Sequence, residues 1–296
     1  MTTRQHFSIA LPGRAPLVLG ERTLVMGIIN VTPDSFADGG RRFVPARAVD
    51  AGWQMLEDGA DILDVGGEST RPGAEPVDAG EELRRVLPVL EAFAGRPLVS
   101  IDTYKAVVAR EAIARGAAIV NDVSALQYDR DLAGVVAESG AAVVLMHNRG
   151  RSHDMYREAV YDDAAAAIRD ELRHSIEAVV GAGIRIEQVI LDPGLGFAKK
   201  AEHSYQALAG LDRIASLGRP ILAGPSRKSF LRAAIGDVPP DERDWATAAA
   251  ITASTLMGAH IVRVHAVREM VQVVKVADAL LAAGLRQRTG PPGSAV

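Results

Sequence analysis

Leu24-Val25-Met26-Gly27-Ile28-Ile29-Asn30 is a run of six residues without a polar side chain, closed by an amide. It is too short for an ordinary helix, and its Val and Ile content suits a strand buried on both faces. Comparable runs lie near Asp61 to Gly66, Leu98 to Asp102, Ala118 to Asp122, Ala142 to His147, Gln188 to Asp192, Pro220 to Gly224 and Ile261 to His265. That makes eight. Between them the apolar residues change period: Leu83, Val86, Leu87 and Leu90, or Val267, Met270, Val271 and Val274, recur as helix faces do.

Strands alternating with helices predict a parallel sheet, and eight such units in roughly 250 residues predict an α/β fold of the (β/α)8 or TIM-barrel type. Short apolar runs at Phe7 to Leu11 and Leu17 to Leu19, split by Pro12 and Gly13, predict a β-hairpin at about residues 6–20 that covers the barrel floor. Pro88 lies inside one amphipathic stretch and predicts a kink or an irregular turn there. Gly290, Pro291, Pro292 and Gly293 leave too little apolar surface to pack, so 289–296 is expected to be a disordered tail. The chain therefore reads as one domain over 1–288, with the barrel at about 24–282.

Composition narrows the function. There is no cysteine among the 296 residues, which removes disulfides, thiolate metal sites and cysteine nucleophiles. A net charge of -4, with scattered basic residues, argues against a nucleic-acid partner. No apolar stretch approaches the length of a membrane span, and Met1 to Arg14 lacks the apolar core of a signal peptide. A cytoplasmic enzyme acting on small molecules is the expectation.

Nearly every strand run finishes in a polar residue: Asn30, Asp64, Asp102, Asn121 with Asp122, His147, Asp192, the turn Ser226 to Lys228, and Arg263 with His265. Taken one at a time, such residues also cap strands and start helices. In a barrel they all converge on the C-terminal mouth, where such folds place their chemistry. Buried carboxylates need donors, so Asp64, Asp102 and Asp192 predict N–H groups nearby, from the protein or from a ligand. Two glycine-rich segments, Asn30 to Gly40 and Gly66 to Gly73, follow the first two strands and have the make-up of lids; the second offers Thr70 and Arg71 to an anion. Phe36 and Phe197 sit in Gly/Pro/Asp-rich loops rather than in apolar runs, as rings that cover a flat substrate or anchor a loop.

Met26-Gly-Ile-Ile-Asn30-Val-Thr-Pro-Asp-Ser-Phe36 and Asp64-Val-Gly-Gly-Glu-Ser-Thr-Arg71-Pro-Gly73 closely resemble the two signature segments of dihydropteroate synthases. Ser100-Ile-Asp102, Asn121-Asp122, Met146-His147, Asp192-Pro-Gly-Leu-Gly-Phe197, Gly224-Pro-Ser-Arg-Lys228 and Arg263-Val-His265 agree in order. The resemblance implies condensation of 6-hydroxymethyl-7,8-dihydropterin diphosphate with 4-aminobenzoate, with sulfonamides competing for the second site. Carried onto matching positions, it implies a pterin set of Asp102, Asn121, Met146, Asp192 and Lys228. It implies a diphosphate set of Asn30, Arg71, Arg263 and His265, and Asn30 as a ligand for Mg2+. Phe36, Thr70, Pro72, Phe197, Lys228 and Ser229 would wall the aminobenzoate, while Asp102, Arg71, Lys228, Arg263 and His265 carry the catalysis. A homodimer through the late outer helices is implied as well.

Two departures stand out. Phe197-Ala198-Lys199-Lys200 replaces the Phe-Gly-Lys-Thr common in the family, and His147-Asn-Arg-Gly150 differs after the fifth strand. A methyltetrahydrofolate corrinoid methyltransferase shares such a pterin pocket but lacks the two loops. A catalytically lapsed pterin-binding paralog is opposed by the presence of Asn30, Arg71 and His265. On these residues, Arg263→Ala is expected to weaken the diphosphate substrate and to spare pterin-only binding.

Overall fold

The computed structural model describes residues 4–32, 45–70, 73–151, 156–157 and 159–289. Strands β1 (Phe7–Leu11) and β2 (Arg14–Leu19) form an antiparallel hairpin. The barrel strands are β3 (Leu24–Asn30), β4 (Ile62–Gly66), β5 (Leu98–Asp102), β6 (Ile119–Asp122), β7 (Ala142–Met146), β8 (Val189–Asp192), β9 (Leu222–Ala223) and β10 (Ile261–Val264). All neighbouring pairs are parallel, in the order β8-β7-β6-β5-β4-β3-β10-β9. A bridge from Leu191 to Ile221, with Leu191 N donating to the Pro220 carbonyl at 2.9 Å, joins the two ends and closes the ring.

Helices α1 (Pro45–Glu57), α2 (Ala79–Phe93), α3 (Ala106–Ala114), α4 (Leu132–Ser139), α5 (Ala164–Gly181), α6 (Ala201–Ala209), α7 (Leu211–Ala215), α8 (Arg232–Ile235), α9 (Asp244–Leu256) and α10 (Val267–Thr289) surround the sheet. Local chemistry sets several boundaries. Asp78 accepts from Glu81 N at the start of α2, Asp163 accepts from Ala166 N at the start of α5, and Gly140 ends α4 at φ 69°. The helix α10 runs to Thr289, one residue into the segment expected as tail, because Leu285 to Arg288 are good helix formers; 290–296 lie outside the described residues.

The kink expected at Pro88 does not end the helix: α2 continues through it. Pro88 and Arg84 are both exposed, so water can serve the Arg84 carbonyl that loses its N–H partner, while Val86, Val89, Leu90 and Phe93 anchor the helix on both sides.

Alternation along the strands separates two apolar layers. Val25, Leu63, Val120, Val143, Leu191 and Val262 face outward into the core shared with the helices. Met26, Ile62, Ile119, Val144, Ile190, Leu222 and Ile261 face inward, where Ile9 and Leu19 of the hairpin join them from below. The hairpin is the floor of the barrel, which leaves the opposite end for the site.

Candidate active site at the barrel mouth

Two residues beyond each inward apolar side chain, the same face of the strand reaches the mouth. Counting this way from the inner layer leads from Ile62 to Asp64, from Ile119 to Asn121, from Val144 to Met146, from Ile190 to Asp192, and from Ile261 to Arg263 and His265. Leu98, packed against the same layer, leads through Ser100 to Asp102. These residues are held together directly. Asn121 Nδ2 donates to Asp64 Oδ2 at 2.9 Å, and Arg263 Nε donates to the same oxygen at 2.6 Å. Arg263 Nη2 donates to Asp102 Oδ2 at 2.6 Å. One guanidinium thus ties β4, β5 and β10 across the top of the barrel.

The donors foreseen for the buried carboxylates therefore come first from the protein. Asp64 Oδ1 is buried without a partner, as is Ser100 Oγ. Burial pushes the Asp102 carboxyl upward, against the Arg263 guanidinium, and raises Asp192 against Lys228 and the Gly194 N–H. Gly194 N donates to Asp192 Oδ1 at 2.7 Å. Burial also presses Lys228 down to about 8, opposed by Asp192. Lys228 Nζ donates to the Leu195 carbonyl at 2.6 Å and stands 4.4 Å from the Phe197 ring centroid. Arg263 and Lys228 flank Gly224: a Cβ there would lie in ordinary contact with both, 3.7 Å from Arg263 Cβ and 3.9 Å from Lys228 Nζ. Ser226 Oγ lies 2.9 Å from His265 Nδ1 and accepts from His265 N.

Asn30 and Thr70 are half-buried, at the end of β3 and in the loop after β4, and Ser229 is exposed in the turn after Lys228. Phe36, Arg71 and Pro72 lie outside the described residues. Among the described residues no three His, Asp or Glu side chains gather into a metal cage. The donor set at Asn30 suits a hard cation carried largely by a ligand's own oxygens and by water.

Asp122 and His147, grouped above with the mouth residues, have the wrong parity and turn outward. Asp122 accepts from Ser124 N at 2.8 Å, from Ser124 Oγ and from Leu126 N, holding a turn in which Ala125 and Leu126 take positive φ. His147 bonds to Glu171 and Lys199. A third group escaped the sequence pattern. Glu68, inside the second glycine-rich segment, accepts from Tyr104 Oη at 2.8 Å, Val77 N at 3.0 Å and Lys105 Nζ, and Lys105 also pairs with buried Glu82. These bonds fasten both ends of that loop to α2 and to the start of α3; the carboxylate within a glycine-rich run was the available signal. A cavity of about 880 Å³ lies beside the mouth, against α4 and α5, and of the mouth residues only Met146 lines it.

Residues 26–265 match the sequence profile of the family described as pterin binding enzyme. The chain is 43% identical over 279 residues to the dihydropteroate synthase of Synechocystis, covering 93% of this chain and 96% of that one. The chain belongs to the dihydropteroate synthase family. Among solved members, the Yersinia pestis dihydropteroate synthase in complex with a sulfonamide drug is 40% identical, with a TM-score of 0.87 over 93% of this chain and all of that one. The Burkholderia cenocepacia dihydropteroate synthase complexed with 7,8-dihydropteroate is 39% identical, with a TM-score of 0.83 over 95% of this chain and 99% of the other. Membership in dihydropteroate synthases makes the chain a transferase, and the matched span contains every mouth residue from Asn30 to His265.

Proposed function

We propose that this barrel mouth joins 6-hydroxymethyl-7,8-dihydropterin diphosphate to 4-aminobenzoate, forming 7,8-dihydropteroate and diphosphate. The observation that carries the proposal is the set of inward polar groups, Asp64, Asp102, Asn121, Asp192 and Arg263, gathered with Lys228 at one end of a closed barrel. A reduced pterin has a polar edge of amino and N–H groups beside a ring oxygen, and buried carboxylates with a neighbouring ammonium complement that edge. In this reading Asp102, Asn121, Met146, Asp192 and Lys228 hold the pterin. Two of the five N–H groups of Arg263 serve Asp64 and Asp102, leaving others for an anion, with His265, Arg71 and Asn30 beside it.

The pterin methylene carbon–oxygen bond breaks with its electron pair passing to the diphosphate. Arg263 and His265 stabilise that departing charge, and Asp102 stabilises the cation left on the pterin. The aryl amine then donates its lone pair to the methylene carbon and releases a proton. Thr70, Pro72, Phe36, Phe197, Lys228 and Ser229 wall the aminobenzoate and keep water from capturing the cation. A bound Mg2+ would neutralise part of the diphosphate charge, with the Asn30 side-chain oxygen as its protein ligand.

The two-substrate assay tests the proposal. Dihydropteroate formation that requires both substrates, accompanied by diphosphate release, and that falls when Mg2+ is chelated is the expected result. Absence of dihydropteroate from an otherwise folded protein would refute it. Methyl transfer from a methylated folate would favour the corrinoid-linked alternative.

Among the described residues no helix is long and apolar enough to cross a membrane. A cytoplasmic setting and a homodimer remain part of the proposal. Trp245, 90% exposed on α9, with Val276 and Leu280 exposed on α10, supports pairing through the late helices. Sedimentation equilibrium showing a monomer at micromolar concentration would contradict the dimer.

A further inference from the structure

Lys199 is 2% exposed, yet among the described residues it forms no salt bridge. Its ammonium lies 2.8 Å from His147 Nδ1 and donates to the Phe197 carbonyl at 2.9 Å and the His147 carbonyl at 3.3 Å. Burying a cation out of contact with a carboxylate is costly, and burial holds the Lys199 amine well below its ordinary range, opposed by the nearby charges of Asp192 and Glu171. On the far side of the imidazole, His147 Nε2 lies 2.9 Å from Glu171 Oε2 on α5, a carboxylate also paired with Arg149. Burial and Lys199 press His147 down to about 4, so it is neutral at physiological pH. With Nε2–H directed to Glu171, Nδ1 is left as the acceptor for Lys199.

The segment that Lys199 grips is under strain. Ala198 stands at φ 46°, a left-handed conformation in which an L residue brings its Cβ too near the following carbonyl oxygen. Such a residue persists where its surroundings over-determine it. Two bonds flank it: Lys199 to the Phe197 carbonyl on one side, and Tyr161 Oη donating to the Ala198 carbonyl at 3.0 Å on the other. The same loop presents the Phe197 ring to Lys228 and offers the Leu195 carbonyl to the Lys228 ammonium.

We propose that Lys199 is a positioning residue for the second substrate: from beneath the loop after β8, its ammonium fixes the Phe197 backbone so that the Phe197 ring and Lys228 form the aminobenzoate wall. The inference rests on the proposed function for the identity of that substrate. The direct hydrogen bonds of Lys199 go to the loop and to His147, whereas Asp192 and Asn121 are placed by the strands themselves; toward Asp192 the ammonium acts only through its charge.

Steady-state kinetics with Mg2+ and both substrates tests it, using Lys199→Met, Lys199→Gln and Tyr161→Phe. Lys199→Met is expected to raise KM for 4-aminobenzoate about tenfold, the loss of one charge-assisted hydrogen bond. KM for the pterin diphosphate stays within about twofold of wild type, as does pterin-only binding by calorimetry. Lys199→Gln, which keeps N–H donors, recovers part of the loss. Tyr161→Phe shows a smaller rise confined to the same substrate, and it serves as the test if Lys199→Met fails to fold. Equal rises for both substrates, or no rise for either in active variants, overturn the inference. A wild-type enzyme that makes no dihydropteroate overturns the proposed function, and the inference with it.

Discussion

Arg263 bonds two buried carboxylates at once, and this changes what its removal does. With its ordinary role as an anion holder, Arg263→Ala would spare pterin-only binding. The bonds to Asp64 and Asp102 predict otherwise: without the guanidinium two buried carboxylates lose their shared donor, and Asp102, already pushed upward by burial, takes up a proton, so that an acceptor facing the pterin becomes a donor. We expect Arg263→Ala to cost about 3–5 kcal/mol of stability and to weaken pterin-only binding at least about tenfold. Calorimetry showing unchanged pterin affinity would disprove that coupling. Asp192 gives a cleaner case. Its Oδ1 is engaged by Gly194 N, so in Asp192→Asn the amide oxygen stays there and the NH2 group turns toward the ligand. Pterin affinity should fall about a hundredfold. A change of less than about twofold would show that the ring does not sit on this residue. The polar strand ends were visible in the sequence as a class. Which of them face the mouth depended on parity: Asp122 shares the outward face of Val120, and His147 that of Leu145. The engagement of Arg263 was not legible at all, because its partners are 199 and 161 residues away.

At the scale of elements, the eight strand runs were legible to within one or two residues, since continuous Val/Ile/Leu runs have few other uses. The weakest was the seventh barrel strand: Pro220 to Gly224 was expected, and β9 is only Leu222–Ala223. A side chain completes its ladder. Ile221 N donates to His260 Nδ1 at 3.1 Å, His260 N donates to the Ile221 carbonyl at 2.8 Å, and His260 Nε2 reaches the Gln5 carbonyl at 3.0 Å. Burial holds His260 down to about 4, below its ordinary 6.5. Between those values the unfolded chain binds more protons than the folded one. The contribution of neutral His260 is therefore complete above about pH 6.5 and is lost as pH falls toward 4. Other groups titrate over the same range, so the test is a difference. The stability advantage of wild type over His260→Asn should shrink by about 3 kcal/mol between pH 7 and pH 4, read from urea midpoints. A constant difference would mean that the seam does not depend on this imidazole's charge.

For the whole molecule, the closed ring divides the labour. The hairpin seals the N-terminal end with Ile9 and Leu19, and the polar groups occupy the other end, so the stability of the floor and the chemistry of the mouth are separable. Closure was foreseen from the number of strands; the bridge from Leu191 to Ile221 supplies it. The lid segments contributed most to the resemblance and least to the geometry, since 33–44 and 71–72 lie outside the described residues. The cavity of about 880 Å³ against α4 and α5 is a rival place for a ligand, but of the mouth residues only Met146 lines it. A crystal structure with bound 7,8-dihydropteroate decides between them. The pterin ring should lie within hydrogen-bonding distance of Asp192 and Asn121, with its aminobenzoate end against Phe197 and Lys228. A pterin found instead beside Tyr128 and His174 would contradict the account.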